Sequence, residues 1–247
     1  MPTTPDPTAP RPAGSTASQA PRGRRERPAK PALTREGIIA TAVAVMRSEG
    51  LERVTMRRLA RELDTGPASL YVYVAHTAEL HAAVLDELLG EVDLRPARTK
   101  GDWRERLVRV LSSYTEVLFA HPELARSALV TRLSGPHYLQ LVETVLTLLA
   151  EGGVTDDRAA WGVDALLLLG TATAAEQSTR DAAPHSQDEH NALMTAVHGA
   201  SAQAFPRLNA LGPELFTGTG EARLTWGFHV LINGMLATAR SDRPQTT

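Results

Sequence analysis

The chain has 247 residues, a formal net charge of −2, no cysteine and 43% hydrophobic residues. A charge so near zero excludes a uniformly basic nucleic-acid coat, so any charge that binds DNA must be local. The lack of cysteine excludes disulfides, thiolate zinc sites and cysteine nucleophiles, and no apolar run approaches the roughly 18 residues of a membrane span.

The first 32 residues are rich in Pro, Ala, Thr and Ser and contain almost no large apolar residue. Such a segment cannot bury enough surface to offset the entropy lost on ordering, so we predict that residues 1–32 are disordered. A basic cluster near its end comprises Arg22, Arg24, Arg25, Arg27 and Lys30. Two interpretations stay open: a solvated tail, or an arm that lies on DNA phosphates or in a minor groove.

Residues 33–93 carry the signals of four helices. The first begins at Thr34, which has the character of an N-cap, and ends at Gly50. The fourth is predicted to be capped by Thr77, with Glu79 in its first turn.

The two helices between them are short and are joined by a tight turn. The first covers residues 55–63, with Thr55 as its cap, and the second covers 66–73, with Thr65 as its cap and Pro67 in its first turn. Arginines crowd the first helix (Arg57, Arg58, Arg61), and hydroxyl-bearing side chains occupy the predicted exposed face of the second (Ser69, Tyr71, Tyr73). Two such helices are typical of a helix-turn-helix DNA reader.

The rest of the chain also shows helical periodicity. We predict helices over residues 102–120, 123–133, 137–151, 155–180, 190–204 and 221–240, with a polar connection at 181–189 and a loop before 221. No segment alternates apolar and polar residues as a strand does. The expected fold is therefore all-α, with a helix-turn-helix DNA-binding domain over 33–95 and a larger ligand-binding and dimerisation domain over 101–241.

Residues 33–89 closely resemble the N-terminal domain of the tetracycline-repressor (TetR) family, without gaps. The later part resembles the subgroup that includes the tetracycline repressors themselves. The similar segments there are residues 101–103, His121, 151–154 and 226–234.

This resemblance implies a homodimeric transcriptional regulator, usually a repressor, that is released from a palindromic operator in double-stranded DNA by a small molecule. It implies base-edge contacts from Arg57, Pro67, Ala68 and Ser69, and backbone contacts from Thr55, Tyr71 and Tyr73. The chemistry agrees, because arginine can bond guanine in a bidentate manner, and Tyr and Thr hydroxyls suit phosphate oxygens. We expect such a regulator in the cytoplasm, associated with the nucleoid, and not at a membrane.

The chain departs from the family pattern at four positions that matter. Asp64 replaces the usual turn glycine, and aspartate tolerates left-handed geometry better than most residues. Thr77 replaces a common phosphate-binding lysine. Ala128 stands where the tetracycline repressors have a metal-bound histidine, and Val110 replaces a polar contact. We therefore expect neither tetracycline nor a metal-dependent ligand, and no cofactor.

The candidate pocket residues are aromatic or polar side chains in the C-terminal half. They are Trp103, Tyr114, His137, Tyr138 and Trp161. A small-molecule site is a mostly apolar cavity with a few polar groups, although aromatics at helical spacing are more often core residues. An alternative function is a helical ligand- or partner-binding module with little specific DNA function. Nothing in the sequence supports an enzyme.

Overall fold

The computed structural model describes residues 32–131 and 133–240, so the predicted disordered arm lies outside the described residues except for Ala32. This part contains no strand, which confirms the all-α prediction. None of its helices is long and apolar enough to cross a lipid bilayer. The α-helices are α1 (Arg35–Glu49), α2 (Met56–Glu62), α3 (Pro67–Leu70), α4 (Thr77–Leu89), α5 (Trp103–Ala120), α6 (Pro122–Ala128), α7 (Pro136–Glu151), α8 (Asp156–Ala182), α9 (Ser186–His198), α10 (Pro206–Leu211) and α11 (Gly220–Ala237). Short 3₁₀ helices cover Leu51–Arg53, Arg95–Arg98 and Pro213–Phe216.

Helix α1 begins and ends where the sequence predicts. The Thr34 hydroxyl accepts a hydrogen bond from the Gly37 amide at 3.0 Å, and Gly50 ends the helix with a φ of 89° that glycine adopts without strain. The buried face of α1, including Ile38 and Ala42, packs against α4. Helix α2 then packs on α1, and α3 packs on α2.

Two predicted helix caps are wrong. Thr77 lies inside the first turn of α4, and His76 is the cap, because its Nδ1 accepts from the Glu79 amide at 3.0 Å while a Glu79 oxygen accepts from the Ala75 amide at 2.7 Å. Thr65 does not cap α3, because Gly66 is the N-cap residue, and glycine makes no side-chain bond. The Thr65 amide instead closes the end of α2.

Several predicted boundaries also shift. Helix α3 ends at Leu70 rather than at 73, and α6 ends at Ala128 rather than at 133. The residues that follow each end include aromatic or β-branched side chains, which favour helices less. Helix α9 begins at Ser186, inside the predicted polar connection, and ends at His198. Prolines in first turns start α10 and the 3₁₀ helix after it, within the predicted loop.

Helix α8 is the centre of the C-terminal part of the chain. It has 27 residues and packs against α5, α6, α7 and α11. Leu166 and Ala174 are fully buried in it, whereas Leu168 remains 54% exposed. Helix α4 is one connection between the N-terminal helices and this part, because it contacts α6 and α7.

Candidate DNA-binding surface and ligand cavity

The turn between α2 and α3 is closed by three backbone hydrogen bonds. The Leu63 amide bonds the Leu59 carbonyl at 2.8 Å, the Asp64 amide bonds that of Arg61 at 3.2 Å, and the Thr65 amide bonds that of Ala60 at 2.8 Å. This is the Schellman arrangement, in which the residue after the cap is left-handed. Asp64 has a φ of 48°, as the sequence predicts. The turn fixes the direction in which α3 leaves α2.

The start of α2 is tied to α4 as well as capped. The Thr55 hydroxyl accepts from the Arg58 amide at 3.2 Å, which satisfies one of the free amides at the helix end. One residue earlier, the Val54 carbonyl lies 3.2 Å from Nε2 of His81 on α4. Thr55 is exposed, so its hydroxyl hydrogen can still be donated to a phosphate.

The three arginines of α2 have different surroundings. Arg58 donates to Glu49 at the end of α1 at 2.5 Å and to Glu62 at 2.6 Å. Hydrogen bonding to Arg58 lowers the pKa of Glu49, and the two carboxylates raise the pKa of Arg58. Arg57 and Arg61 are exposed and have no ion-pair partner among the residues that the structure describes. The charge available to DNA on α2 therefore comes from Arg57 and Arg61.

Helix α3 presents most of its predicted contact residues to solvent. Its base-reading candidates are all exposed: Pro67, Ala68 and Ser69. Leu70 and Val74 are buried and anchor the segment, while Tyr71 is 53% exposed. Tyr73 is half-buried and packs against the core, so the prediction that it is exposed is wrong. Val72 is 80% exposed and joins this surface, although its apolar side chain gave no signal in the sequence.

A cavity of about 450 Å³ lies between α5, the α6–α7 connection, α7 and α8. It is lined by Tyr114, Ala128, Leu129, Val130, Thr131, Leu133, Tyr138, Asp164, Leu167, Leu168 and Thr171. The Tyr114 hydroxyl lies 2.6 Å from Thr171 Oγ1, which itself donates to the Leu167 carbonyl at 2.8 Å. Tyr114 is therefore the donor. Burial raises its pKa to about 12, and burial followed by the charge of Asp164 raises the pKa of Tyr138.

Three of the five predicted pocket residues do not line this cavity. Trp103 packs on Gly152 at the end of α7, where an added Cβ would lie 2.3 Å from the indole. His137 packs on Gly90 after α4. Trp161 is 58% exposed, and the Arg240 guanidinium stacks on its ring at 3.7 Å from the centroid. Of the five predicted residues, only Tyr114 and Tyr138 line this cavity.

A second cavity, of about 640 Å³, lies where α1, α6 and the end of α8 meet. Glu123 on α6 accepts from the Leu51 amide at 2.9 Å across this junction. His121 also lines it, and burial lowers the pKa of this histidine. Within the described ranges, no cluster of three His, Asp or Glu residues could hold a metal ion.

Comparison with known sequences decides the family. Residues 38–84 match the model described as bacterial regulatory proteins, tetR family, and residues 95–239 match that described as tetracyclin repressor-like, C-terminal domain. The chain belongs to the TetR family. Both predicted resemblances are thus confirmed, and this TetR-family protein is a DNA-binding transcriptional regulator.

Its relatives include a regulator from Saccharopolyspora and solved structures from Streptomyces. An HTH-type transcriptional regulator of Saccharopolyspora erythraea is 31% identical over 219 residues, which cover 85% of this chain and 87% of that one. The crystal structure of SCO7704 from Streptomyces is 57% identical with a TM-score of 0.72, covering 87% of this chain and 100% of that one. The structure of Streptomyces coelicolor ActR in complex with actinorhodin is 34% identical with a TM-score of 0.73, covering 85% and 99%.

Proposed function

We propose that this TetR-family protein is a homodimeric repressor that binds a palindromic operator and is released by a small molecule. A DNA-binding domain over residues 33–95 reads the operator, and a domain over 101–241 dimerises and binds the effector. The observation that carries this proposal is the exposed surface of α2 and α3, where Arg57 and Arg61 have no ion-pair partner within the described part of the chain. The same chain also contains a cavity that is lined by two tyrosines and has the size of a small-molecule site.

The proposed DNA contacts are supported by the exposure and the chemistry of the side chains. Arg57 is exposed and unpaired within the described part, so it is free to bond a guanine edge. Pro67, Ala68 and Ser69 offer small groups that approach bases closely. Tyr71 and Thr55 offer hydroxyls to phosphates, which set the register of the protein on the duplex.

The dimer is proposed to form through α8 and α11. Their surfaces keep large apolar side chains exposed in the single chain, including Trp161 at 58%, Trp226 at 69% and Val230 at 46%. Exposed apolar groups of this size favour a protein interface. Two copies related by a two-fold axis would form a four-helix bundle and present two copies of α3 to successive major grooves. A monomer in sedimentation would contradict this arrangement.

The effector is proposed to be a polycyclic aromatic molecule that needs no metal. The lining of the 450 Å³ cavity contains two tyrosines and several leucines but no histidine, and ActR, a relative at 34% identity, has been solved with actinorhodin. Tyrosine faces pack well on aromatic rings. Because a DNA-binding regulator acts where the DNA lies, its proposed place is the cytoplasm, at the nucleoid.

The test of DNA recognition uses operator fragments enriched from a random DNA pool by the protein itself. The double variant Arg57→Ala, Tyr71→Ala should lose specific binding at fixed salt. Arg207→Ala on α10 is the control, because it removes the same charge outside the proposed surface. Unchanged affinity of the double variant would refute the assigned surface.

The effector class is tested with actinorhodin as the probe. The expected result is release of a labelled operator fragment at concentrations that saturate a single site per protomer. If actinorhodin does not bind, or binds without releasing DNA, the proposed effector class is wrong.

A further inference from the structure

Helix α7 has no cap of its own. Its N-cap residue is Gly135, which has no side chain, and Pro136 follows in the first turn. The amides of His137 and Tyr138 are therefore left without intrahelical acceptors. Both are satisfied from another helix: Asp86 on α4 accepts from the Tyr138 amide at 2.9 Å and from the His137 amide at 3.4 Å. The N-terminal cap of α7 is thus a side chain of α4, 51–52 residues away.

Gly135 is adapted to this contact by its size. Its φ of −78° suits any residue, so its conformation does not require glycine. A Cβ at Gly135, however, would lie 2.1 Å from the Asp86 carboxyl carbon. Asp86 itself is only 7% exposed, and a Cβ at that distance would push its carboxylate away from the amides that it caps. Space for the carboxylate explains the glycine.

A second close approach joins the same two helices. The ring of His137 packs on Gly90 after the end of α4, where an added Cβ would lie 2.9 Å from the imidazole. The first turn of α7 is therefore held to the last two turns of α4 both by hydrogen bonds and by packing.

The two ends of this connection lie at the two proposed sites. Tyr138, whose amide bonds Asp86, also lines the 450 Å³ cavity. At the other end, His81 on α4 reaches the Val54 carbonyl, directly before the cap of α2. An unbroken set of contacts thus runs from the cavity through Asp86 and α4 to the helix that carries Arg57.

We propose that Asp86 is a positioning residue that couples occupancy of the cavity to DNA affinity. The inference rests on the proposed function, because it assumes that the cavity controls operator binding. A molecule that displaces Tyr138 moves the first turn of α7 and withdraws amides from the Asp86 carboxylate. Leaving a buried carboxylate without these hydrogen bonds costs free energy. Helix α4 therefore moves with α7, or it shifts until the Asp86 carboxylate meets other donors. Either response changes the position of α2.

The test needs no effector, because a large side chain can fill the cavity. Ala128 lines it and is small, so Ala128→Trp serves as the occupant. Operator affinity is measured by anisotropy for Ala128→Trp with Asp86 and with Asp86→Ala. With Asp86 present, Ala128→Trp should weaken binding within the usual range of couplings, about 5–150-fold. With Asp86→Ala, the same substitution should weaken binding by less than about 3-fold, below that range.

Two further variants separate coupling from general damage. Asp86→Asn keeps one acceptor oxygen for the Tyr138 amide and should restore most of the coupling. Glu87→Ala is the matched control, because Glu87 is the next carboxylate on α4 and is exposed; it should leave the coupling unchanged. A merely structural role for Asp86 would lower stability in every background without altering the ratio of affinities.

Gly135→Ala tests the cap from the other side if Asp86→Ala does not fold. Its new Cβ must displace the Asp86 carboxylate, so it should also abolish the coupling. Equal effects of Ala128→Trp with and without an intact cap would overturn the inference while leaving cavity control intact. No effect of Ala128→Trp in the wild-type background, with tight operator binding, would overturn both.

Discussion

The hydrogen bond between Tyr114 and Thr171 in the cavity wall predicts an asymmetry between two substitutions. Both residues are buried, with exposures of 2% and 6%. The Thr171 hydrogen is directed to the Leu167 carbonyl, so the Tyr114 hydroxyl donates to Thr171. Thr171→Val therefore leaves a buried hydroxyl without its acceptor, whereas Tyr114→Phe removes the donor and leaves the Thr171 donor bond intact.

The magnitudes follow from that difference. Loss of one hydrogen bond lowers the free energy of unfolding by about 0.5–1.5 kcal/mol, and an unsatisfied buried group costs about 1–3 kcal/mol. We expect Thr171→Val to cost about 1 kcal/mol more than Tyr114→Phe, which corresponds to roughly 2–4 °C in Tm for a chain of this size. In the double variant Tyr114→Phe, Thr171→Val, the second substitution should lower the free energy of unfolding by little more than the first does, because no tyrosine hydroxyl is left unsatisfied.

The assay is urea unfolding at one protomer concentration, since dimerisation makes stability concentration-dependent. Thr115→Val is the matched control. Thr115 is 1% exposed and, among the described residues, its hydroxyl bonds only the carbonyl of Leu111 within its own helix. Thr115→Val should therefore lower the free energy of unfolding by less than Thr171→Val does. The same loss for Thr171→Val and for Thr115→Val would refute the reasoning, because it would mean that Tyr114 finds another acceptor in the cavity.

Three further predictions concern the DNA-binding surface and the α1–α6–α8 junction. Asp64→Gly should fold normally, whereas Asp64→Val should lose about 1–2 kcal/mol in urea unfolding because a β-branched residue resists a positive φ. Arg57→Ala should relax base preference by about 1–3 kcal/mol in competition with altered operators, while Tyr71→Phe should weaken all sequences equally; the same profile for both would contradict their assigned roles. Burial lowers the pKa of His121 from its ordinary 6.5, so the unfolded chain is protonated first and stability falls as pH drops below that value. His121→Gln should lessen this loss in melts at pH 7.5 and 5.5, and an unchanged loss would exclude His121 as its source.

The features that the sequence predicted correctly are local ones. The caps at Thr34 and Thr55 each depend on a hydroxyl and an amide three residues later, so spacing alone identifies them. The turn at Asp64 is local in the same way. His76 was missed because histidine is a rarer cap than the threonine beside it, and only the extended backbone at His76 distinguishes the two.

The cavity could not be predicted to the same degree, because periodicity shows which residues are apolar but not which helices meet. Tyr114 and Tyr138 line the same cavity, whereas Trp103 packs on Gly152 and Trp161 is exposed. The Asp86 cap depends on a contact between residues more than fifty positions apart. No local pattern around Asp86 reports such a contact.

Sequence-specific operator binding is the proposed role of the surface of α2 and α3. It is tested most directly by anisotropy of labelled fragments from upstream of this gene and its neighbours, at fixed salt with excess nonspecific competitor. We expect tight, saturable binding to a palindromic fragment, lost in the variant Arg57→Ala, Tyr71→Ala. Weak binding that is equal for all fragments and vanishes as salt rises would contradict it, because charge alone would then be responsible.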